Sequence, residues 1–348
     1  MLVKPYILYH MKILFLSHAF YPAIGGIESI SEMLVDQFVS QGHDVQLLTW
    51  STSSEEEIFS YKIVRFPSIS DIIKGIKWAD LIFENNPCTR MSWPNIIFKK
   101  PIITGIQTWI AKSDGHISFT QHLKKQWLKG STKLIACSKA VQQSLPSSSI
   151  VIGNPYNEQV FKLKPEIERS YDFVFLGRLV SDKGAELAID AFYELVQEIK
   201  YSRLTIIGDG PERATLELKV REYGISDQVV FAGPLRGEKI VDLLNAHKYL
   251  LVPSLWREPF GIVALEGIAC GCIPIVADGG GLPDAVGNAG LVFSRGSRES
   301  LLKQMKELVL DKSIHEKLSA ESFSHLKSHS SKYVASQYLS VFKQVLKS

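Results

Sequence analysis

The chain has 348 residues, of which 45% are hydrophobic and 22% are charged. This length exceeds one average domain and predicts two, and the composition is typical of a globular protein in water. The net charge of +3 is too small to predict bulk nucleic-acid binding, and no run is long and apolar enough to span a bilayer. Residues 1–10 lack the features of a signal peptide, so we expect a cytoplasmic protein.

The first half of the chain alternates apolar runs with amphipathic stretches, which predicts parallel α/β layers. A helix is predicted over Glu28–Gln41 and ends at Gly42, as a helix C-terminus commonly does. The predicted strands are Lys12–Leu16, Val45–Thr49, Ile63–Phe66, Leu81–Phe83, Ile102–Ile106, Leu134–Ala136 and Ile150–Ile152.

The same pattern restarts in the second half. A polar, proline-broken stretch at residues 161–169 is the candidate linker between the halves. We therefore expect Rossmann-like domains at residues 1–165 and 166–330, facing across a cleft. The predicted strands are Tyr171–Leu176, Leu204–Ile207, Val229–Ala232, Tyr249–Val252 and Ile273–Val276, and the predicted helices are Ala185–Lys200, Arg213–Tyr223, Ile240–Ala246, Ile262–Ala269 and Tyr333–Leu346.

The segment EPFGIVALE, from Glu258 to Glu266, follows a predicted strand and leads through a turn into a helix. Backbone N–H groups at Gly261 and Ile262 would face outward at the helix start, where phosphate is favoured. Glu266 leans back toward that end and could accept hydrogen bonds from sugar hydroxyls. The alternative is that Glu258 caps the helix and Glu266 is solvated.

Two cationic residues, Arg178 and Lys183, follow the first predicted strand of the second domain. The carboxyl ends of strands are where open α/β sheets bind ligands. A guanidinium fork and a mobile ammonium there could hold a diphosphate, although surface cations are often only solvated. The glycine-rich segment at residues 208–211 lacks the third glycine of a dinucleotide loop, so an NAD site is not expected.

A series of short motifs runs along the chain. They are GGIE at 25–28, QGHDV at 41–45, NP at 154–155, GRL at 177–179, KG at 183–184, GDGP at 208–211, FAG at 231–233, Glu-x7-Glu at 258–266 and GGLPD at 280–284. In this order they resemble the motifs of glycosyltransferase family 4. Each motif is weak alone, and their joint order from Met11 to the C-terminus carries the resemblance.

The resemblance implies the α/β GT-B fold, with a C-terminal helix at residues 331–348 that crosses back to the first domain. It implies a retaining, metal-independent glycosyltransferase that needs no cofactor and moves a sugar from a UDP- or GDP-sugar to a hydroxyl acceptor. The second domain would hold the donor, and the first most of the acceptor surface. The implied catalytic residues are Arg178, Lys183 and Glu258, and the implied donor-binding residues are Gly25, Gly26, Phe260, Gly261, Ile262, Val263 and Glu266.

One departure from the family concerns the sugar. Members commonly carry histidine where this chain has Gln107, and also within the stretch matching residues 84–87. Glutamine can donate and accept hydrogen bonds but carries no proton at neutral pH. Gln107 is therefore a candidate contact for the sugar or acceptor side, and His116 is a candidate substitute for the missing imidazole.

Related functions remain open at this point. A nucleotide-sugar epimerase can share the fold and would need no acceptor. A non-catalytic subunit that binds sugar nucleotides is a second alternative, and a dehydrogenase is the weakest. For a transferase, the expected acceptor is a sugar or a lipid-linked sugar in surface polysaccharide, lipopolysaccharide or glycolipid synthesis.

A further helix is predicted over residues 121–130, with cationic and apolar side chains mixed along it. They are Lys124, Lys125 and Lys129 beside Leu123, Trp127 and Leu128. Such a mixture suits the anionic inner face of a membrane, with Trp127 at the headgroups. The alternative is that the apolar residues pack inside while the lysines face water.

Overall fold

The computed structural model describes residues 10–22, 25–53, 59–110 and 119–348. The chain forms two compact units, each built on one parallel sheet. Unit 1 contains Met1–Pro155 and Ser331–Ser348, and unit 2 is Tyr156–Ser330. The predicted parallel α/β layers are therefore confirmed.

Unit 1 has a parallel sheet in the order β3-β2-β1-β4-β5-β6-β7. Its strands are β1 (Lys12–Ser17), β2 (Asp44–Thr49), β3 (Lys62–Arg65), β4 (Leu81–Asn85), β5 (Ile102–Ile106), β6 (Lys133–Ala136) and β7 (Ser149–Val151). The helices are α1 (Gly26–Ser40), α2 (Ile69–Trp78), α3 (Thr89–Ser92), α4 (Asn95–Phe98), α5 (Phe119–Lys129) and α6 (Lys139–Gln143). The central strands β1, β4 and β5 are almost wholly buried, which explains why they read as continuous apolar runs.

Unit 2 has a parallel sheet in the order β10-β9-β8-β11-β12-β13. Its strands are β8 (Tyr171–Leu176), β9 (Leu204–Ile207), β10 (Val229–Gly233), β11 (His247–Val252), β12 (Ile273–Ala277) and β13 (Leu291–Phe293). The helices are α7 (Ala185–Glu198), α8 (Arg213–Glu222), α9 (Glu238–Ala246), α10 (Ile262–Ala269), α11 (Leu282–Val286), α12 (Arg298–Leu310) and α13 (Lys312–Ser328), and a 3₁₀ turn covers Ser181–Lys183.

The last helix, α14 (Ser331–Lys347), belongs to unit 1 and packs against α1. Its Phe342 lies 5.4 Å from both Phe38 and Phe83, measured between ring centroids. Tyr338 lies 5.4 Å from Phe83. Aromatic pairs at these separations add to the free energy gained by burial. The predicted return of the C-terminal helix to the first domain is confirmed.

The predicted linker at residues 161–169 is not a linker, because it is bonded into unit 2. The backbone N–H of Lys164 donates to Asn245 Oδ1 at 2.7 Å, and Arg169 donates to the His247 carbonyl at 2.6 Å. The chain passes between units at Pro155–Tyr156, ahead of the predicted boundary at residue 165. The stretch is polar because it carries these bonds.

Helix α5 does not present an aromatic anchor to a membrane. Leu128 is buried, and Trp127 is half-buried and packs on a core cluster that includes Met91 and Cys88. Lys124 and Lys129 are exposed. The alternative prediction, in which the apolar residues pack inside while the lysines face water, therefore fits the described side chains of this helix. In the part of the chain that the structure describes, no helix is long and apolar enough to cross a membrane.

Candidate active site

The predicted catalytic and donor residues of unit 2 lie at the carboxyl edge of its sheet, in the loops after β8 and β11 and in the first turns of α10. β8 and β11 are neighbours there, yet the chain leaves β8 toward β9 on one side and reaches β11 only later. This is a topological switch point, where open α/β sheets bind ligands. Arg178 and Lys183 follow β8, and Glu258 follows β11.

Lys183 and Glu258 form a partly buried ion pair across this point. Lys183 Nζ lies 2.5 Å from Glu258 Oε1, with side-chain exposures of 24% and 14%. Ser254 Oγ donates to the same Oε1 at 2.8 Å, and the Trp256 ring centroid lies 5.6 Å from Lys183 Nζ. Partial burial strengthens the attraction relative to a solvent-exposed pair.

Backbone contacts between the two loops hold this pair. The Asp182 carbonyl accepts hydrogen bonds from the N–H groups of Leu255 at 2.9 Å and Trp256 at 3.0 Å. Gly184 has a φ of +72°, and a Cβ there would lie 2.0 Å from the Pro253 carbonyl oxygen. Only glycine permits this close approach. The glycine of the Lys-Gly motif therefore serves to bring Lys183 to the β11 loop.

Arg178 is exposed and makes no side-chain hydrogen bond or ion pair with the described residues. Its neighbours fix its backbone, because Gly177 N–H donates to the Ile207 carbonyl and Leu179 N–H to the Asp209 carbonyl. At Gly208 a Cβ would lie 1.8 Å from the Gly177 carbonyl oxygen. The GDGP segment thus packs against the backbone of the Arg178 loop, and its glycines allow this close contact because they have no side chain. The guanidinium itself is available to a ligand.

Helix α10 begins at this edge without a side-chain cap. Its N-cap residue, Gly261, has a φ of +114° and no side-chain hydrogen bond to the helix, so Glu258 does not cap it. Phe260 is buried, whereas Ile262 and Val263 are half-exposed. The first-turn N–H groups of a helix lack intrahelical partners, and they can therefore receive an anion.

Glu266 lies one turn into α10. Burial raises the pKa of its carboxyl group to about 7, although solvent still reaches part of the residue. Its carboxyl group makes no hydrogen bond with the described residues. Removing a carboxyl from water disfavours its ionised form, and partners that donate hydrogen bonds would favour it again. The carboxylate oxygens therefore have no hydrogen-bond donor among the described residues, and they can accept hydrogen bonds from the hydroxyl groups of a ligand.

The remaining predicted residues belong to unit 1. Gly25 precedes α1, and a Cβ on it would lie 2.5 Å from Glu28 Oε2. The carboxylate of Glu28 thus lies over the helix start at these two implied donor-binding glycines, of which Gly26 is exposed. A carboxylate in the first turn itself complements the helix dipole.

Gln107 is buried beneath the terminal helix rather than exposed. Its Nε2 donates to the Tyr338 hydroxyl at 3.4 Å, its backbone N–H donates to Asn86 Oδ1 at 2.8 Å, and its Oε1 has no partner. This placement favours a structural role over direct contact with a sugar. His116 lies outside the described residues.

Sequence reasoning missed Ser254 and Trp256. Ser254 is 1% exposed and donates to Glu258. Trp256 faces the Lys183 ammonium. Their positions four and two residues before Glu258 on the loop after a predicted strand were the available signal, because polar and aromatic residues at a strand end often contact ligands.

Comparison with known proteins adds the chemistry. Residues 157–325, which lie within unit 2, match the sequence model of a family described as glycosyl transferases group 1. This match supports a glycosyltransferase. Over 140 residues the chain is 35% identical to 2-deoxystreptamine glucosyltransferase of Streptomyces kanamyceticus, covering 39% of this chain and 36% of that protein.

A longer similarity covers both units. The chain is 22% identical over 373 aligned positions to N-acetyl-alpha-D-glucosaminyl L-malate synthase of Bacillus anthracis, covering 94% of this chain and 96% of that protein. The solved structure of Anabaena Alr3699/HepE with UDP and glucose matches with a TM-score of 0.77 at 19% identity, over 96% of this chain and 100% of that chain. At this identity the likeness shows the fold alone, and it confirms the predicted GT-B fold class.

Proposed function

We propose that the protein is a retaining glycosyltransferase that moves a sugar from a UDP- or GDP-sugar to a hydroxyl acceptor. The observation that carries the proposal is the Lys183–Glu258 pair beside the unpaired Arg178 at the switch point of unit 2. The match of this unit to glycosyl transferases group 1 supports it. So does the similar Anabaena protein, whose structure holds UDP and glucose.

The chemistry requires stabilisation of a leaving diphosphate. The bond between the anomeric carbon and the phosphate oxygen breaks, and its electron pair stays on that oxygen. Arg178 can bind phosphate oxygens through two parallel hydrogen bonds, and Lys183 adds a point charge. The uncapped start of α10 at Gly261 supplies N–H groups and a positive dipole end. Groups fixed in advance around developing charge contribute strongly to catalysis.

The acceptor then attacks the anomeric carbon from the face that the diphosphate leaves. Its hydroxyl oxygen forms the new glycosidic bond, and its proton passes to the released phosphate oxygen. The configuration at the anomeric carbon is therefore retained. We propose that the charge is stabilised without a divalent metal, because Arg178, Lys183 and the helix start already supply positive charge there.

The ion pair suggests how the donor enters. A diphosphate oxygen would compete with Glu258 for the ammonium of Lys183, which is held by a single carboxylate oxygen. Glu258, once released, keeps the hydrogen bond from Ser254 and can accept another from a sugar hydroxyl. Glu266 would accept hydrogen bonds from the ribose hydroxyls. One site would thus contact phosphate, sugar and ribose.

The acceptor and its pathway are further proposals. We propose a sugar or lipid-linked acceptor in the synthesis of surface polysaccharide, lipopolysaccharide or glycolipid, with the enzyme in the cytoplasm or at the inner face of its membrane. The named relatives glycosylate small molecules in some cases, such as 2-deoxystreptamine. The acceptor panel should therefore contain soluble and lipid-linked compounds.

Calorimetry with UDP and GDP tests the donor site, and transfer from radiolabelled UDP- and GDP-sugars to the acceptor panel tests the reaction. Product with the donor's anomeric configuration, formed equally in EDTA, is the expected result. Donor epimerised or released without any acceptor would identify an epimerase. Activity that is lost in EDTA and restored by manganese would refute the metal-free mechanism. Failure to bind either nucleotide would refute the function.

A further inference from the structure

A group of three basic side chains, two of them cations and one an imidazole, lies at the carboxyl edge of the sheet of unit 1. His18 directly follows β1, Arg90 lies on α3 just after β4, and Lys124 lies on α5. β1 and β4 are neighbours, while the chain leaves β1 toward β2 on the other side. The group is therefore at the switch point of unit 1, the position that the Lys183–Glu258 pair occupies in unit 2.

The order of the sheet brings the segments that carry these side chains together, because β1, β4 and β5 are consecutive neighbours. The electrostatics agree with this placement. The pKa of His18 is lowered, first by burial and then by the charges of Lys124 and Arg90, while the Pro87 carbonyl opposes this by accepting a hydrogen bond from the imidazole. Lys124 also acts on the thiol of Cys88, the residue that follows Pro87. The packing agrees, because Met91 of α3 and Trp127 of α5 belong to one core cluster.

No carboxylate neutralises these charges within the residues that the structure describes. Neither Arg90 nor Lys124 forms a salt bridge there, and all three side chains belong to exposed residues. The nearby Glu84 is buried and already accepts from Ser92 and Thr104. Burial raises the pKa of the Glu84 carboxyl, which disfavours its charge further.

Several other cations of this chain are paired with carboxylates. In unit 2, Lys164 contacts two carboxylates and Lys219 contacts two more. Arg90 and Lys124, gathered around the His18 imidazole without an anion, repel each other, which costs free energy unless a ligand offsets it. Repulsion at a switch point indicates a site that a negative ligand completes.

We propose that His18, Arg90 and Lys124 form a phosphate-binding subsite of unit 1, and that the acceptor in the proposed transfer carries its phosphate there. This rests on the proposed function for the identity of the ligand as acceptor. Arg90 supplies a planar fork of donors, Lys124 a point charge, and His18 a second donor once it is protonated. The acceptor is therefore a phosphorylated molecule, not a neutral sugar.

The phosphate could belong to a soluble molecule or to a lipid headgroup. An apolar surface lies just beyond Arg90 in the chain, where Trp93, Ile96 and Ile97 are 45%, 67% and 73% exposed. A lipid acceptor would need apolar side chains within reach of the phosphate, and these exposed residues on the segment after α3 are the candidates for contact with its acyl region. The two sources share the phosphate chemistry and are separated by experiment.

The direct test follows the His18 imidazole by NMR while inorganic phosphate is added at constant ionic strength. Phosphate should shift the imidazole resonance and raise the pKa of His18, because an anion favours the protonated ring. Arg90→Ala and Lys124→Ala should each weaken the phosphate affinity roughly tenfold to a hundredfold. Lys129→Ala, an exposed cation on the same helix, is the matched control and should leave it unchanged.

The results separate this inference from the proposed function, since UDP binding by unit 2 is measured on the same samples. If UDP binds but the His18 resonance ignores phosphate, or if Lys129→Ala weakens phosphate as much as Arg90→Ala does, the subsite is refuted and the transferase stands. If phosphate shifts His18 but neither UDP nor GDP binds, the subsite stands and the proposed function fails.

A second arm distinguishes the sources. Glycerol 3-phosphate and vesicles of phosphatidylcholine containing phosphatidic acid are each added to the wild type and to the variant Ile96→Ser with Ile97→Ser. A lipid source predicts vesicle binding that the double variant loses while inorganic phosphate still shifts His18. A soluble source predicts a response to glycerol 3-phosphate alone. Vesicle binding or a response to glycerol 3-phosphate supports the subsite if Arg90→Ala and Lys124→Ala weaken that binding. Binding that is unchanged in both variants refutes the subsite.

Discussion

Lys183 and Glu258 form one contact that would serve both the fold and the proposed reaction. The pair joins residues 75 positions apart, and Arg178 at the same switch point forms no ion pair with the described residues. Among the described residues, removing Lys183 therefore leaves a partly buried carboxylate with Ser254 as its one side-chain donor. It also removes a charge from the proposed diphosphate site, so two different losses are expected from one substitution.

Lys183→Ala should lower kcat by about 10²–10³-fold, the scale for removing a preorganised charge stabiliser. It should also lower the free energy of unfolding, by about 1–3 kcal/mol, because Glu258 loses its partner. Adding Glu258→Gln should recover the stability but not the turnover. Urea unfolding and steady-state rates measure the two effects, and recovery of both would mean that Lys183 has only a structural role.

The control for this prediction uses the same two strands at their opposite ends. Lys248 at the start of β11 pairs with Asp172 on β8 at 3.0 Å, with side-chain exposures of 38% and 18%. Lys248→Ala should cost a comparable or smaller free energy of unfolding and leave kcat unchanged. If kcat falls as much in Lys248→Ala as in Lys183→Ala, loss of stability would explain the fall in kcat in both variants.

Glu266 gives a prediction about pH. Its pKa is raised from 4.5 to about 7 by burial, so the folded protein holds this proton more tightly than the unfolded chain. The free energy of unfolding should therefore fall as pH rises between these values. Glu266→Gln should remove this loss and be more stable than the wild type above pH 7, by about 1–3 kcal/mol. Equal pH profiles in urea unfolding would contradict the assignment.

Nucleotide binding should change the protonation of the same group. Hydrogen bonds from ribose hydroxyls favour the ionised carboxylate and lower its pKa, so binding of UDP near pH 7 should release a proton. Calorimetry in buffers of different ionisation enthalpy measures this release. It should vanish in Glu266→Gln, which should also bind UDP roughly tenfold to a hundredfold more weakly. Proton release that survives in the variant would place the ionising group elsewhere.

At the scale of elements, apolar runs predicted most strands, although the short strand β13 (Leu291–Phe293) was missed. β5, β8 and β9 have the predicted bounds, since each is nearly continuous apolar sequence in a parallel sheet. Helix α13 was not predicted because only Leu318 of its seventeen residues is buried, which leaves little periodicity. Helix α12 was missed although Leu301, Met305 and Leu308 have the spacing of a buried face.

The candidate site was only partly predictable for a different reason. Residue type and position at strand ends pointed to Arg178, Lys183, Glu258 and Glu266. The pairing of Lys183 with Glu258, and the burial of Gln107 against Tyr338, depend on contacts between distant segments. Local sequence carries no signal for such contacts, because they are set by which strands become neighbours.

The loop that carries Lys183 depends on a single glycine. A side chain at Gly184 meets both an unfavourable backbone angle, φ +72°, and the Pro253 carbonyl at 2.0 Å. Gly224 has a similar φ of +67° but open space around it, so it isolates the backbone effect. Gly224→Ala should cost about 1 kcal/mol in urea unfolding, and Gly184→Ala should cost more and lower kcat as well. Equal losses in the free energy of unfolding for the two variants would mean that the loops after β8 and β11 can move apart without cost.

At the scale of the whole molecule, the chain makes unit 1 from both of its ends. The N–H of Tyr156 donates to the His329 carbonyl at 3.2 Å, so the outward and returning crossings run side by side. The core of unit 1 therefore includes residues more than 320 positions apart, such as Phe15 and the rings of α14. Unit 2 is a continuous segment and does not depend on the C-terminus for its core.

Phe342 tests this division. Its ring is 0% exposed and contacts Phe38 and Phe83, so Phe342→Ala should leave a cavity in unit 1 and cost about 3–5 kcal/mol. Phe323 on α13 is 79% exposed, and Phe323→Ala should change stability by less than about 0.5 kcal/mol. Because the donor site is assigned to unit 2, UDP affinity measured below the unfolding transition should be the same in both variants and the wild type. A loss of UDP binding in folded Phe342→Ala would show that the nucleotide site needs an intact unit 1.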